Sequence, residues 1–481
     1  MFFDPMEIFL LGVTTIISVF VSFKVILYKR EASSATLWLV VIWLLPLLGS
    51  LLYYLLGINR VRRKAGRLRG KMVRYRSDKN NMPRYDNADN LFQKTDISFH
   101  LLSISRSLDT ITERGLLPHN QVTPLISGEE CYPEMLKAIN GAQHTIMLAT
   151  YIFHSDGIGE QFIAALQKAV ERGVLVRVLL DGVMAHLTRP SIIKALKSEN
   201  IPFALFNSPL IAKQIFVLNL RSHRKIMVVD GHIGFTGGLN INRDYWPSRP
   251  GQQVFHDTHF LLAGPIVSDL AEVFADEWQY TTGELLRGDM WFPVPDVTQG
   301  EVLARGIAAG PDERFDRLRC CYLAALNAAE QSVRIMSPYF IPDVTLIAAL
   351  GDAALRQVVV DIFIPEKGNS LLRWATFGQL RQILEYGARI WLCPPPFDHS
   401  KLMIVDGQWV LLGSGNWDER SLRLNFEFNI ECYDFSLAAK MNALFEDHLR
   451  SARQFTCADL DARSLASKLR DGLARLFALF L

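Results

Sequence analysis

Two stretches of this chain carry nearly the same residues in the same order: HRKIMVVDG at 223–231 and HSKLMIVDG at 399–407. Each sets His, Lys and Asp in the pattern H-x-K-x4-D and runs on into a Gly-rich turn ending in Asn, Gly237-Gly238-Leu239-Asn240 in one and Gly413-Ser414-Gly415-Asn416 in the other. A single match of this kind arises by chance often enough to be discounted; two with the same tail do not. On an extended strand alternate side chains share a face, so the His and Lys of each motif point together into one cleft while the apolar residues after them anchor the strand. This residue set suits phosphoryl transfer. Lys225, Lys401, Asn240 and Asn416 are four donors for the equatorial oxygens of a pentacoordinate phosphorus. His223 and His399 stand on opposite sides of it, one to attack and one to protonate the leaving alkoxide. With two lysines to neutralise the phosphate, neither a metal nor a cofactor is expected. Asp230 and Asp406 close the two motifs and are expected in the site. Further on, Asp257 in FHDTH and Glu427 in NFEFN hold corresponding places, and each is expected to accept the far ring N–H of the histidine in its own half.

The elements that must carry these residues also occur twice. Strand, helix, strand, helix, strand and motif strand follow one another through TIMLATYIF, IGEQFIAALQKAVERG, VLVRVLLDG, the helix at 192–198, PFALFN and HRKIMVVDG. The same order returns in SVRIMSPYF, VTLIAALGDAALR, VVVDIFIPE, a helix near 371–387, ARIWLC and HSKLMIVDG. This is a duplication with α/β layers around largely buried sheets. The expected halves are residues 121–290 and 291–481, the second ending in an amphipathic helix. In that helix Leu465, Leu469, Leu473, Leu476 and Phe480 form one stripe. Packing of the stripe on the second half is the expected use, with membrane contact as the alternative.

With 481 residues and 49% hydrophobic content, the chain has room for two packed domains and a membrane element. Residues 8–27 and 37–56 are both apolar and long enough to span a bilayer, the second interrupted by Pro46 and Gly49, which predicts a transmembrane helical hairpin over 1–59, with a re-entrant hairpin kinked at Pro46 as the alternative. Asp4 and Glu7 stand where a signal peptide would be basic. Residues 60–76 then hold nine Lys/Arg and no acid, which marks that end as cytoplasmic. The rest of 60–120 is polar and reads as a juxtamembrane segment and linker. Six cysteines without a C-x-x-C pair read as free thiols.

The motif pair resembles the signature of the phospholipase D superfamily. SHRKIMVVDGHIGFTGGLNI, DTHFLLAGPIV, MSPYFIPD and GSGNWDERSLRLNFE, with the paired hydrophobic segments, resemble the bacterial cardiolipin synthases over essentially the whole chain. The resemblance implies two lobes related by a pseudo-two-fold axis with one active site between them. It implies transfer of a phosphatidyl group from one phosphatidylglycerol to another through a phosphohistidine, with release of glycerol, at the inner membrane of a bacterium by cytoplasmic lobes. By the same analogy His223 is the nucleophile and His399 the general acid. Expected partners are phosphatidylglycerol and other phospholipids and the membrane, not nucleic acid, with a homo-oligomer left open. A hydrolytic phospholipase D, or a transferase with another acceptor lipid, would use the same residues. A nuclease fits the hydrophobic hairpin poorly, and a lipid-binding scaffold would have no need of both intact motifs. CPPPFDH before the second histidine departs from the apolar approach usual in the family, which implies a different lipid entry there.

Overall fold

The computed structural model describes residues 5–29, 32–56, 88–208, 220–247, 252, 254–311 and 316–476. The basic run at 60–76 and the terminal Phe480 of the leucine stripe lie outside the described residues. The chain divides into an N-terminal unit and a much larger one, and each is described by itself.

In the N-terminal unit, helix Pro5–Tyr28 contains one apolar stretch, Phe9–Tyr28, long enough to cross a membrane. The second hydrophobic segment departs from expectation. It is two helices, Ala32–Leu44 and Pro46–Leu56. At about 1.5 Å per residue these reach roughly 20 and 17 Å, short of the roughly 30 Å of a hydrocarbon core. Proline at 46 lacks the N–H that would continue the helix. The chain folds back there, and Gly49 lies against the Val41 carbonyl where any Cβ would collide. Trp38 meets Tyr53 edge-on at 5.2 Å, and Tyr53 is buried with Val25 and Ile42.

The larger unit is built on a 15-stranded mixed sheet whose strand order is the same read outward from the middle in either direction. The first half runs Leu117–Ile126, Thr258–Ala263, Ile233–Gly237, Ile226–Val229, Thr145–Thr150, Leu175–Asp181, Phe203–Phe206. The second runs Val302–Ala309, Glu427–Tyr433, Trp409–Gly413, Leu402–Val405, Ser332–Met336, Val359–Pro365, Arg389–Cys393, with Arg453–Phe455 added at the edge. The halves join where Leu117–Ile126 pairs antiparallel with Val302–Ala309, the place of the pseudo-two-fold axis. Both motif strands, Ile226–Val229 and Leu402–Val405, are buried throughout, as continuous apolar runs between helical layers should be.

Part of the expected linker is core. Ala88–Gln93 and Leu102–Thr112 are helices, and Leu91, Phe92, Leu101, Ile104 and Leu108 pack into the second half with Leu318, Tyr322 and Leu326. The apolar residues at 101, 104, 108 and 111 recur at helical spacing, a pattern hidden in a segment polar on average. The first half also begins at Leu117, ahead of residue 121. At the junction Arg305 is fully buried, donating from Nε to Glu431 over 2.6 Å and from Nη1 to the Arg114 carbonyl over 2.8 Å. All six cysteines are free thiols.

Candidate active site

His223 and Lys225 sit on an extended segment just ahead of strand Ile226–Val229, and His399 and Lys401 occupy the same position before Leu402–Val405. Each approach segment pairs with the other half of the molecule. The His223 N–H donates to the Phe426 carbonyl over 2.9 Å, and the Phe426 N–H to the Arg221 carbonyl over 2.8 Å. Likewise the His399 N–H donates to the His256 carbonyl over 2.8 Å and the His256 N–H to Phe397 over 2.9 Å. These crossings bring each carboxylate to the opposite histidine. Nδ1 of His223 donates to Oε2 of Glu427 over 2.9 Å, and Nδ1 of His399 donates to Oδ2 of Asp257 over 2.8 Å. Pairing within each half, expected from the order of the sequence, is therefore wrong; the partners are exchanged across the axis. In both pairs the Nδ1 contact leaves Nε2 for chemistry.

The histidines line a cleft of about 310 Å3 together with Asn240, Asn416, Tyr151, Tyr339, Phe397 and Arg420. Tyr151 meets the His223 ring edge-on at 4.9 Å and Tyr339 meets His399 at 6.1 Å. Lys225 and Lys401 are buried, each donating from Nζ to the carbonyl of its own motif histidine, over 2.8 Å for Lys225. Burial pushes Lys225 down to about 7, with Lys401 adding repulsion against the pull of Glu427. Burial pushes Lys401 down to about 8 against the pull of Asp257. A bound phosphodiester supplies the counter-charge these two ammonium groups lack.

Asp230 and Asp406 are not in the cleft. Each stands at the far end of its motif strand, roughly 17 Å beyond the lysine at about 3.3 Å per residue. The Asp230 carboxylate accepts from the N–H groups of Gln143, His144 and Thr145 over 2.8, 2.7 and 2.8 Å. Asp406 accepts from those of Glu330, Gln331 and Ser332 over 2.9, 2.8 and 2.7 Å. Their work is to tie the turn that starts the neighbouring strand. Motif membership suggested catalysis; three satisfied backbone donors apiece say otherwise.

Residues 135–278 and 322–449 match the family described as cardiolipin synthase, PLD-like domain, and residues 16–57 match that described as phospholipase D-nuclease N-terminal. The chain belongs to the cardiolipin synthase family of phospholipase D-like enzymes. Among its relatives, the cardiolipin synthase of Geobacillus kaustophilus is 30% identical over 470 residues, covering 96% of this chain and 91% of that one. The major cardiolipin synthase of Bacillus subtilis is 29% identical over 467 residues, covering 94% of each. The crystal structure of a phosphatidylserine synthase from Haemophilus influenzae shares the fold at a TM-score of 0.59 and 15% identity, covering 79% of this chain and all of that one. The N-terminal match and the apolar helix make this member of the family membrane-associated.

The two halves of this cardiolipin synthase family member differ beside the carboxylates, where Ser414 and Asn425 stand against Gly238 and Phe255. Ser414 donates from Oγ to Oε2 of Glu427 over 2.6 Å, and Asn425 donates to Oε1 over 3.2 Å. The equivalent of Ser414 is Gly238, where any Cβ would collide with the Asp257 carboxylate. Burial alone would raise Glu427, but His223 and Lys225 outweigh it, and with the Ser414 hydroxyl they hold the carboxyl below the usual glutamate range. Burial pushes Asp257 well above the aspartate range and His399 well below the histidine range. The two carboxyls are therefore shifted in opposite directions, the one behind His223 down and the one behind His399 up. The sequence offered Gly238 against Ser414 as a visible difference, but its meaning depends on a carboxylate from further along the chain. Arg420 and Tyr245, also missed, come to the cleft on turns after the motif asparagines. Asp398, in the CPPPFDH run, accepts from the Ser400 N–H over 2.7 Å and meets His448 at 2.9 Å.

Proposed function

We propose that this chain joins two phosphatidylglycerol molecules into cardiolipin and releases one glycerol. Nε2 of His223 attacks the phosphorus of the first lipid, the bond from phosphorus to the glycerol oxygen breaks, and His399 gives that oxygen its proton. A glycerol hydroxyl of the second lipid then attacks the phosphatidyl-histidine, returns a proton to His399, and frees His223. Lys225, Lys401, Asn240 and Asn416 stabilise the equatorial oxygens in both steps. Asp257 and Glu427 orient the rings and stabilise the imidazolium that forms on each side. The observation that carries this reading is the pair of exchanged histidine–carboxylate contacts at one cleft. The assignment of His223 as nucleophile and His399 as acid follows the analogy with the family, and the lowered Glu427 carboxyl behind His223 supports it.

The finer membrane placement we read is the bacterial inner membrane, with helix Pro5–Tyr28 as a span, the bent pair Ala32–Leu44 and Pro46–Leu56 reaching into the bilayer, and the catalytic lobes on the cytoplasmic side behind the basic run. A transferase profits from a site at the bilayer surface, where acceptor lipid is concentrated and water scarce.

Purified protein given phosphatidylglycerol alone in mixed micelles should yield cardiolipin and glycerol in equal amounts, without a nucleotide. Phosphatidic acid as the main product would make it a hydrolase. A requirement for a cytidine-activated donor, or transfer to another lipid in preference, would make it a different transferase.

A further inference from the structure

The helix Leu465–Leu476 is turned the opposite way from a packing helix. Leu465, Leu469, Leu473 and Leu476 are 72%, 60%, 59% and 69% exposed, while the buried residues are Asp471 and Ala474. At 100° per residue the four leucines fall within an arc of about 80°, directly opposite the buried pair. The inner face is tied down well: Ala474 packs with Ile341, Ala375, Leu372 and Trp374, and the backbone at Asp471 approaches Gly378 so closely that a Cβ there would lie 2.6 Å from its carbonyl oxygen. The leucine face is what remains, and packing against the second half, the use expected from the sequence, does not account for it.

Charge says what covers it. In the same projection Lys468 and Arg475 flank the stripe on one side and Arg470 on the other. Arg470 lies over the Trp374 ring at 4.5 Å. Lys468 and Arg475 also line a hollow of about 400 Å3 with Arg381 and Arg463. Three carboxylates stand close by. Asp471 is taken by Arg463 and Arg470, Asp461 by Arg381, and Glu385 lies 3.6 Å from Arg381. Lys468 also donates from Nζ to the Asp461 carbonyl over 2.9 Å, which holds its ammonium at the rim of the hollow. A leucine stripe edged by cations, beside a hollow lined by Arg381, Arg463, Lys468 and Arg475, is complementary to a phospholipid surface that presents anionic headgroups above acyl chains.

We propose that helix Leu465–Leu476 is a membrane-docking element that lays its leucine face into an anionic bilayer surface and seats headgroup phosphates in the hollow beside it. The consequence for the enzyme runs through Leu372. That residue packs in the small cluster holding Ala474 and also lines the catalytic cleft. Docking the helix therefore sets the cleft wall against the lipid from which substrate comes. The inference concerns a surface outside the cleft and holds whichever acceptor the cleft uses.

The test uses the full chain in phosphatidylcholine vesicles with and without phosphatidylserine, an anionic lipid that is not the proposed substrate. A trace phospholipid carrying a diazirine on its acyl chain is photolysed, and adducts are mapped by mass spectrometry. The peptide spanning 465–476 should carry adducts in the anionic vesicles, several-fold fewer in pure phosphatidylcholine, and several-fold fewer in the Leu469→Asp/Leu473→Asp variant. That variant should lose most of its turnover on vesicles and keep its turnover on a short-chain, monomeric phosphatidylglycerol, which shows that the fold and cleft are intact. Absence of adducts on this peptide in anionic vesicles overturns the proposal. So does equal labelling with and without phosphatidylserine, or a leucine-dependent cross-link to a second copy in place of lipid adducts.

Discussion

His223 and Glu427 stand 204 residues apart in the chain and share a hydrogen bond of 2.9 Å across the boundary between the two halves. The reciprocal bond from His399 to Asp257 makes each half supply the carboxylate of the other. Neither histidine is oriented by its own half alone. Glu427→Gln should lower kcat by about 10^3-fold or more, by analogy with amide replacement in other oriented-histidine sites. The loss should appear in formation of the phosphatidyl-enzyme, measured by quenched flow. A loss confined to the second, acceptor-dependent step would reverse the roles of the two pairs.

A lipid with a nitrophenol leaving group separates the two histidines, because nitrophenolate departs without a proton. His399→Ala should still give a burst of nitrophenolate on that substrate, whereas His223→Ala should give none. A burst from the His223 variant alone would make His399 the nucleophile.

Ser414 adds its 2.6 Å bond to the pull of His223 and Lys225 that holds Glu427 below the usual glutamate range. Ser414→Ala removes that donor, so the carboxyl pKa rises from its depressed value. The protonated, inactive form then persists to higher pH, and the acid limb of the kcat/KM profile should move upward. An unmoved limb with lower activity throughout would mean that the hydroxyl only fills space.

On the alkaline side the lysines decide. Their ammonium groups, at about 7 for Lys225 and about 8 for Lys401, lose charge as pH rises through that range in the free enzyme. kcat/KM should therefore fall from pH about 7–8 upward. The limb of kcat should lie higher, since a bound phosphodiester favours the charged form. Coincident limbs in the two profiles would contradict it.

Asp230→Asn keeps the size of the side chain and weakens its acceptors for three backbone donors. It should cost about 1–3 kcal/mol of stability and lower Tm in calorimetry, while folded protein keeps a kcat near that of the parent. A thousand-fold loss of kcat at unchanged Tm would return Asp230 to the chemistry.

Much of this was legible in the sequence because the duplication prints it twice. The strand and helix order around 145–229 and 332–405 follows directly from apolar runs and turn residues, and the convergence of His223 with His399 is what the family resemblance implies. What resisted reading were choices between equivalents. Asp257 and Glu427 are each a plausible partner for either histidine, and only the crossing of the segments at 221–223 and 397–399 decides. Helix Leu102–Thr112 was lost in a polar average, although its apolar spacing was present. The leucine stripe at 465–476 was plain, but periodicity does not say whether a lobe or a lipid covers it. Pro46 did announce a break, and the fold answers with a reversal.

The exchange of carboxylates also bears on the newborn chain. The helices at 5–56 leave the ribosome before either half, so on the membrane placement proposed above a growing chain is held at the bilayer while the rest is still being made. At about 5–20 residues per second, the 204 residues from His223 to Glu427 take roughly 10 to 40 s to make. Through that interval His223 is already synthesised but has no carboxylate to orient it, and the first half cannot cut the lipids that surround it. The exchanged pairs thus make the complete site a property of both halves together, assembled only once the second has been made.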